Sequence, residues 1–143
     1  MKRKEFIRTG SVGCAAILLG GPFLHGCAGS VAIKKTINNG VISLSTSDFL
    51  NENGKVKRYI TIKADTLDFP IVVYRNSDMS YRAYLLKCTH QGTQLNVHGD
   101  LISCPAHGSE FGKSGQVISG PATSSLLEYD ISQNEENLYI KIA

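Results

Sequence analysis

The chain has 143 residues, with 15 Lys and Arg against 12 Asp and Glu and a formal net charge of +3. That excess sits at the start: taking Lys2, Arg3, Lys4, Arg8 and Glu5 from these totals leaves 11 of each sign in residues 28–143, so the charge balance gives no reason to expect a nucleic-acid partner. The residues after position 27 are enough for one modest core and too few for a second large domain.

Residues 1–27 read as an export segment. Lys2, Arg3, Lys4 and Arg8 make a basic start, and the 13 residues from Val12 to Leu24 form an apolar stretch broken by glycines and Pro22. That stretch falls short of the roughly 20 residues a membrane-spanning helix needs. The ending Leu24-His25-Gly26-Cys27 resembles the bacterial lipobox, which implies lipidation of Cys27 as the membrane tether, although His25 is unusual inside such a motif. Arg3-Lys4-Glu5-Phe6-Ile7-Arg8 resembles a relaxed twin-arginine signal, a route that carries cargo already folded around its cofactor. The expected location is therefore the periplasm or cell envelope. Residues 28–40 read as a linker, where Lys34-Lys35 can either touch anionic headgroups or be a solvated pair.

From Val41 the chain is a series of short alternating or β-branched runs: Val41–Ser45, Arg58–Lys63, Ile71–Arg75, Tyr81–Lys87, Gly115–Ile118, Leu126–Asp130 and Leu138–Ile142. Turn signals at Asn51–Gly54, Asn76–Asp78 and Gln133-Asn134 separate them, and no segment keeps a helical period. The pattern predicts an all-β antiparallel sandwich or small barrel over residues 41–143. Its core is expected to contain Ile60, Ile62, Val72, Tyr74, Tyr84, Leu86, Tyr129 and Ile140. Tyr129 and Tyr139, on terminal strands, read as packing aromatics before any redox role.

The chemistry concentrates in Cys88-Thr89-His90-Gln91-Gly92 and Cys104-Pro105-Ala106-His107-Gly108-Ser109. Thirteen residues, 91–103, separate the halves, enough for a hairpin that turns at Gly99-Asp100 and sets the two loops side by side. Cys14 and Cys27 fall in the export segment, which leaves Cys88 and Cys104 as the cysteines of the domain, each with a histidine companion. Two thiolates on one iron and two imidazoles on the other is the ligation of a mixed-donor [2Fe-2S] cluster, whose potential lies at roughly −150 to +300 mV because imidazole adds no negative charge. Cys₂His₂ is also a zinc set, but zinc modules pair cysteine with cysteine and histidine with histidine, whereas each half here mixes the two. His98, beside the expected turn, reads as a solvated residue in preference to a ligand.

The run from Cys104 through Ala122 resembles the cluster-binding half of Rieske proteins, particularly those of quinol:cytochrome c and quinol:plastocyanin oxidoreductases, and the likeness extends over about the last hundred residues. It implies a cluster-binding subdomain of two hairpin loops, one [2Fe-2S] cluster, Cys88 and Cys104 on one iron, and His90 and His107 on the other. It further implies a hydroxyl at Ser109 that donates to a bridging sulfide, and a covering loop at Gly120-Pro121-Ala122. Thr93 and Ala106 stand where respiratory members carry a bracing disulfide, and Phe111 stands where high-potential members carry a tyrosine that donates to a ligand sulfur. With Glu110 adding negative charge, an intermediate to low potential is expected.

The reading is a one-electron carrier, exported and tethered, that exchanges electrons with a redox protein or quinol. The alternatives are a Rieske subunit of a larger quinol-oxidising or other oxidoreductase complex, and a structural zinc module or non-redox surface lipoprotein. The chain has no room for the mononuclear-iron domain of a Rieske oxygenase.

Overall fold

The computed structural model describes residues 32–142; the export segment, Cys14 and Cys27 lie outside them. Nearly all the regular structure among the described residues is β, as the alternating runs predict, in twelve short strands with one 3-10 turn. Among the described residues no helix is long and apolar enough to cross a membrane.

Three sheets build the fold. The central one has the order β1-β3-β4-β5-β10, comprising Ile33–Lys35, Tyr59–Ala64, Ile71–Arg75, Tyr81–Leu85 and Glu128–Tyr129. A second sheet, β11-β12-β2, comprises Ile131–Gln133, Asn137–Lys141 and Val41–Ser45. The third, β6-β7-β8-β9, comprises Asn96–His98, Leu101–Ser103, Glu110–Gly112 and Val117–Ser119.

The central sheet is buried on both faces, and this corrects the expectation of a single core. Side chains alternate along a strand, so on β4 Ile71 and Val73 point to one side while Val72 and Tyr74 point to the other, all four nearly inaccessible. The first face packs Ile60, Ile62, Ile71, Val73 and Ala83 against Ile42, Leu44, Leu138 and Ile140 of the second sheet, with Tyr129 partly buried at its edge. The opposite face packs Val72, Tyr74, Tyr84 and Leu86 against Ile102 and Phe111 of the third sheet and Leu95 just before it, and Cys88 and Cys104 belong to this second core. The eight expected core residues thus divide four and four.

Residues 28–40, expected as a linker, contribute β1, which pairs in parallel with β3 from Ile33↔Ile62 to Lys35↔Ala64. Only the edge of a sheet is needed to order so polar a segment: Ile33 packs on the first core, and Lys35 Nζ meets Asp48 Oδ2 at 2.7 Å. Asp48 also accepts from the Ser45 backbone N–H and caps the 3-10 turn Thr46–Phe49. The expected strand Leu126–Asp130 is cut to Glu128–Tyr129, because after Asp130 the chain crosses to the second sheet as β11. That strand turns at Asn134 and pairs with β12.

The strand directions place the site. β4 and β5 pair as a hairpin with Arg75 opposite Tyr81 at one end and Ile71 opposite Leu85 at the other, so the chain leaves β5 toward Cys88 at the end away from the hairpin turn. β6 and β7 run alongside, and the Tyr74 hydroxyl donates to the Gly99 carbonyl at 2.9 Å, pinning the tip of their hairpin at the far end. Cys104 therefore follows β7 back to the end where Cys88 lies.

Candidate metal centre

Two loops with the same backbone scheme form the site. In the first, the Cys88 N–H donates to the Thr93 carbonyl at 2.8 Å and the Cys88 carbonyl accepts from the Gly92 N–H at 2.8 Å. In the second, the Cys104 N–H donates to the Ser109 carbonyl at 2.8 Å and the Cys104 carbonyl accepts from the Gly108 N–H at 3.1 Å. Each loop closes on a glycine four residues after its cysteine, and both glycines have φ of 72°, a left-handed conformation that a side chain would strain. Within this shared scheme the histidine stands two residues after the cysteine in the first loop and three after it in the second.

Folding delivers the donors by type. Cys88 and Cys104 are buried, are not joined as a disulfide, and sit in the second core. His90 and His107 are exposed, and their rings meet edge to face with centroids 5.0 Å apart. For Cys104, burial pushes the thiol up, but the backbone N–H groups of His107 and Ala106, with the Cys88 thiol and the Thr93 hydroxyl, outweigh it and hold the thiol below its ordinary value. The loop amides thus favour a thiolate at the inner end, while the imidazoles face water at the outer end. Two sulfur and two nitrogen donors, arrayed from inside to outside, fit a diiron cluster with thiolates on the inner iron. Among the described residues no three His, Cys, Asp or Glu side chains converge as they would around a single ion.

A third loop holds the other two together. Gly120, at φ of 90°, lies so close that a Cβ there would stand 2.5 Å from Ser109 Cα and 2.7 Å from the Gly108 carbonyl oxygen. Two residues on, the Ala122 N–H donates to Ser109 Oγ at 3.2 Å, and the Thr89 hydroxyl donates to the Ser124 carbonyl at 2.7 Å. The Gly120-Pro121-Ala122 segment is thereby clamped to both ligand loops. Ser109 is the one fully buried polar side chain among the described residues, and its Oγ accepts from Ala122, which leaves its own proton free to donate to a group held by the loops.

Thr89 and Ser124 went unnoticed in the sequence because an ordinary loop hydroxyl and a carbonyl leave no local pattern. Phe111 is fully buried against the cysteines, and Glu110 accepts from the Ser119 hydroxyl at 2.8 Å. His98 is exposed on β6, toward the far end of its hairpin. Beside His90 lies a hollow of about 630 Å³ bordered by Leu85, Lys87, Thr89, Ser124 and the exposed Leu127, and the Lys87 ammonium stands 5.4 Å over the Phe69 ring.

The Rieske [2Fe-2S] domain family matches residues 46–130. No curated protein matches the chain. Among solved structures it is similar to the cyanobacterial plasma membrane Rieske protein PetC3 from Synechocystis PCC 6803, at 32% identity over 57% of this chain and 85% of that one, with a TM-score of 0.50. It shares its fold with the ferredoxin–oxygenase complex of carbazole 1,9a-dioxygenase (23% identity, 73% of this chain and 94% of that one, TM-score 0.52). It likewise shares the fold of a quaternary ammonium Rieske monooxygenase of carnitine oxidation by gut microbiota (21% identity, 73% of this chain, TM-score 0.56), of which it spans 31%.

Proposed function

The chain belongs to the Rieske [2Fe-2S] domain family, whose domain binds one [2Fe-2S] cluster for electron transfer, and on that premise we propose that it is an exported one-electron carrier tethered through a lipid on Cys27. Cys88 and Cys104 would hold one iron of the cluster, and His90 and His107 the other. The observation that carries the reading is the pair of matched loops, which buries both thiols and exposes both imidazoles.

When bound, the cluster accepts and gives up a single electron. The protein's share is to shield and to position. Leu95, Ile102, Phe111 and Leu126 keep water from the cysteine side, and the loop amides and the Ser109 hydroxyl face developing negative charge. Phe111 offers no hydroxyl where high-potential relatives have one, so an intermediate to low potential is expected. The three loops, residues 88–93, 104–109 and 120–125, contain no Asp, Glu, Lys or Arg, so the charges nearest the exposed histidines along the chain are the flanking Lys87 and Glu110.

A stand-alone carrier and a subunit of a quinol-oxidising complex share this site. Purification in mild detergent separates them, because a carrier emerges alone. Metal analysis tests the reading against a zinc module: two irons and acid-labile sulfide per chain support it, and one zinc with no visible absorption refutes it.

A further inference from the structure

The end of the domain opposite the cluster loops carries a surface that the electron-transfer reading does not use. A hollow of about 380 Å³ is bordered by Lys57 and Arg58 ahead of β3, Arg75 at the end of β4 and Lys113 after β8, with Asp100 as its one carboxylate. Arg58 pairs loosely with Asp100 at 3.6 Å, and among the described residues Lys57, Arg75 and Lys113 form no ion pair. Val56 and Arg75 continue into a second hollow with Leu50, Met79 and Tyr81, where Glu135 is the one carboxylate. Leu50, Val56 and Met79 are 44%, 42% and 62% exposed, three of the five large apolar side chains left open among the described residues. Cations grouped beside exposed aliphatic side chains are the chemistry of a surface that rests on anionic lipid headgroups.

Chain direction points the same way. β1 runs parallel to β3 with Ile33 opposite Ile62 and Lys35 opposite Ala64, so it moves toward the cluster end and begins three residues, about 10 Å, along β3 from Tyr59. Six residue steps separate Cys27 from Ile33, a reach of at most about 21 Å when fully extended.

We infer that the surface formed by Lys57, Arg58, Arg75 and Lys113 with Leu50, Val56 and Met79 lies on an anionic lipid bilayer, so that the cluster loops point away from the membrane. The inference rests on the tether reading for its geometry and on the patch for its chemistry. β4 alone separates the two ends by about 15 Å, so a quinol inside the bilayer is out of reach of His90 and His107, and the partner is a water-borne redox protein. The basic end then has a use of its own, which is to orient the domain.

The sequence contains no tryptophan, so a single introduced one reports its own surroundings. The full-length holoprotein carrying Leu50→Trp is mixed with vesicles of phosphatidylcholine alone or with about a third phosphatidylglycerol, with and without brominated acyl chains, and compared with Leu127→Trp beside His90. Expected are a blue shift and bromine quenching of Leu50→Trp that need phosphatidylglycerol, weaken at least about tenfold on adding Lys57→Glu and Arg58→Glu, and are absent for Leu127→Trp. The inference is overturned by quenching of Leu127→Trp to the same extent, by an unmoved Leu50→Trp, by a response indifferent to lipid charge, or by a shift without lipid that grows with protein concentration, which marks contact with a second copy. Failure of the tether reads differently: the protein then stays in solution with neutral vesicles, while phosphatidylglycerol-dependent quenching of Leu50→Trp still upholds the patch.

Discussion

The Thr89 hydroxyl donates to the Ser124 carbonyl at 2.7 Å, joining the first ligand loop to the proline loop that already grips the second through Ser109 and Ala122. Thr93 and Ala106 occupy the places where respiratory relatives carry a disulfide, so these two hydrogen bonds supply the cross-loop restraint here.

Thr89→Val removes one of them while keeping shape. A single such bond contributes about 0.5–1.5 kcal/mol, so cluster loss to an iron chelator, followed by visible absorbance, is expected to speed up by about two- to tenfold with little change in potential. An unchanged rate contradicts the clamp.

Ser109→Ala strips a buried N–H, that of Ala122, of its acceptor and removes the proton that faces the sulfides. Stability is expected to fall by about 1–3 kcal/mol, and the midpoint potential by about 60 mV, equivalent to about 1.4 kcal/mol for one electron. Denaturant melts and a redox titration check the two effects separately. A potential that stays put removes Ser109 from the cluster's surroundings.

Phe111→Tyr is the reverse experiment, since it offers the donor that this chain lacks. If the hydroxyl reaches a ligand sulfur, the potential rises by about 60 mV. A fall in stability of about 1–3 kcal/mol with no rise in potential shows instead a hydroxyl buried without a partner.

Gly120→Ala tests the close approach of the covering loop. The added Cβ meets Ser109 Cα at 2.5 Å and the backbone is left-handed, so the loop has to open. Expected are a loss of more than about 2 kcal/mol and a chain that no longer retains iron and sulfide on gel filtration. Full retention refutes the packing.

Tyr84 is buried in the second core with its hydroxyl unpartnered, and burial, with Glu128 nearby, pushes its phenol from 10.0 up to about 12. The fold therefore favours the neutral phenol, a contribution complete below pH 10 and lost as pH rises toward 12. Tyr84→Phe removes an unsatisfied group, so stability at pH 7 is expected to stay level or rise by up to about 1 kcal/mol. Above pH 10 the variant declines less steeply than the parent. Denaturation at pH 7 and pH 11 checks both limbs, and a loss above about 1 kcal/mol at neutral pH contradicts an unpartnered hydroxyl.

The two loops were legible because their pattern is local: two short segments, each mixing one sulfur and one nitrogen donor before a glycine, and the fold gives both the same backbone scheme. The strands from Val41 to Arg75 were legible for the same reason, β2 and β3 by alternation and β4 as a short continuous apolar, β-branched run. What escaped depended on distant partners. Ile33–Lys35 becomes a strand only because β3 offers an open edge, and Glu110–Gly112 only because β7 and β9 flank it. Two cores look like one in a sequence, because apolar residues at Ile71–Tyr74 say that both faces are covered without saying by what. The 3-10 turn did carry a sign, Ser45 followed three residues later by Asp48, the pattern of a capping box.

Electron paramagnetic resonance of the dithionite-reduced, full-length protein tests the central claim most directly, because nitrogen ligation of one iron lowers the average g-value relative to an all-thiolate [2Fe-2S] centre. The expected result is a rhombic signal with that lowered average, which is lost or converted toward all-thiolate character when His107 is replaced by cysteine. An all-thiolate spectrum, or no reducible iron signal after attempted assembly with iron and sulfide, contradicts it.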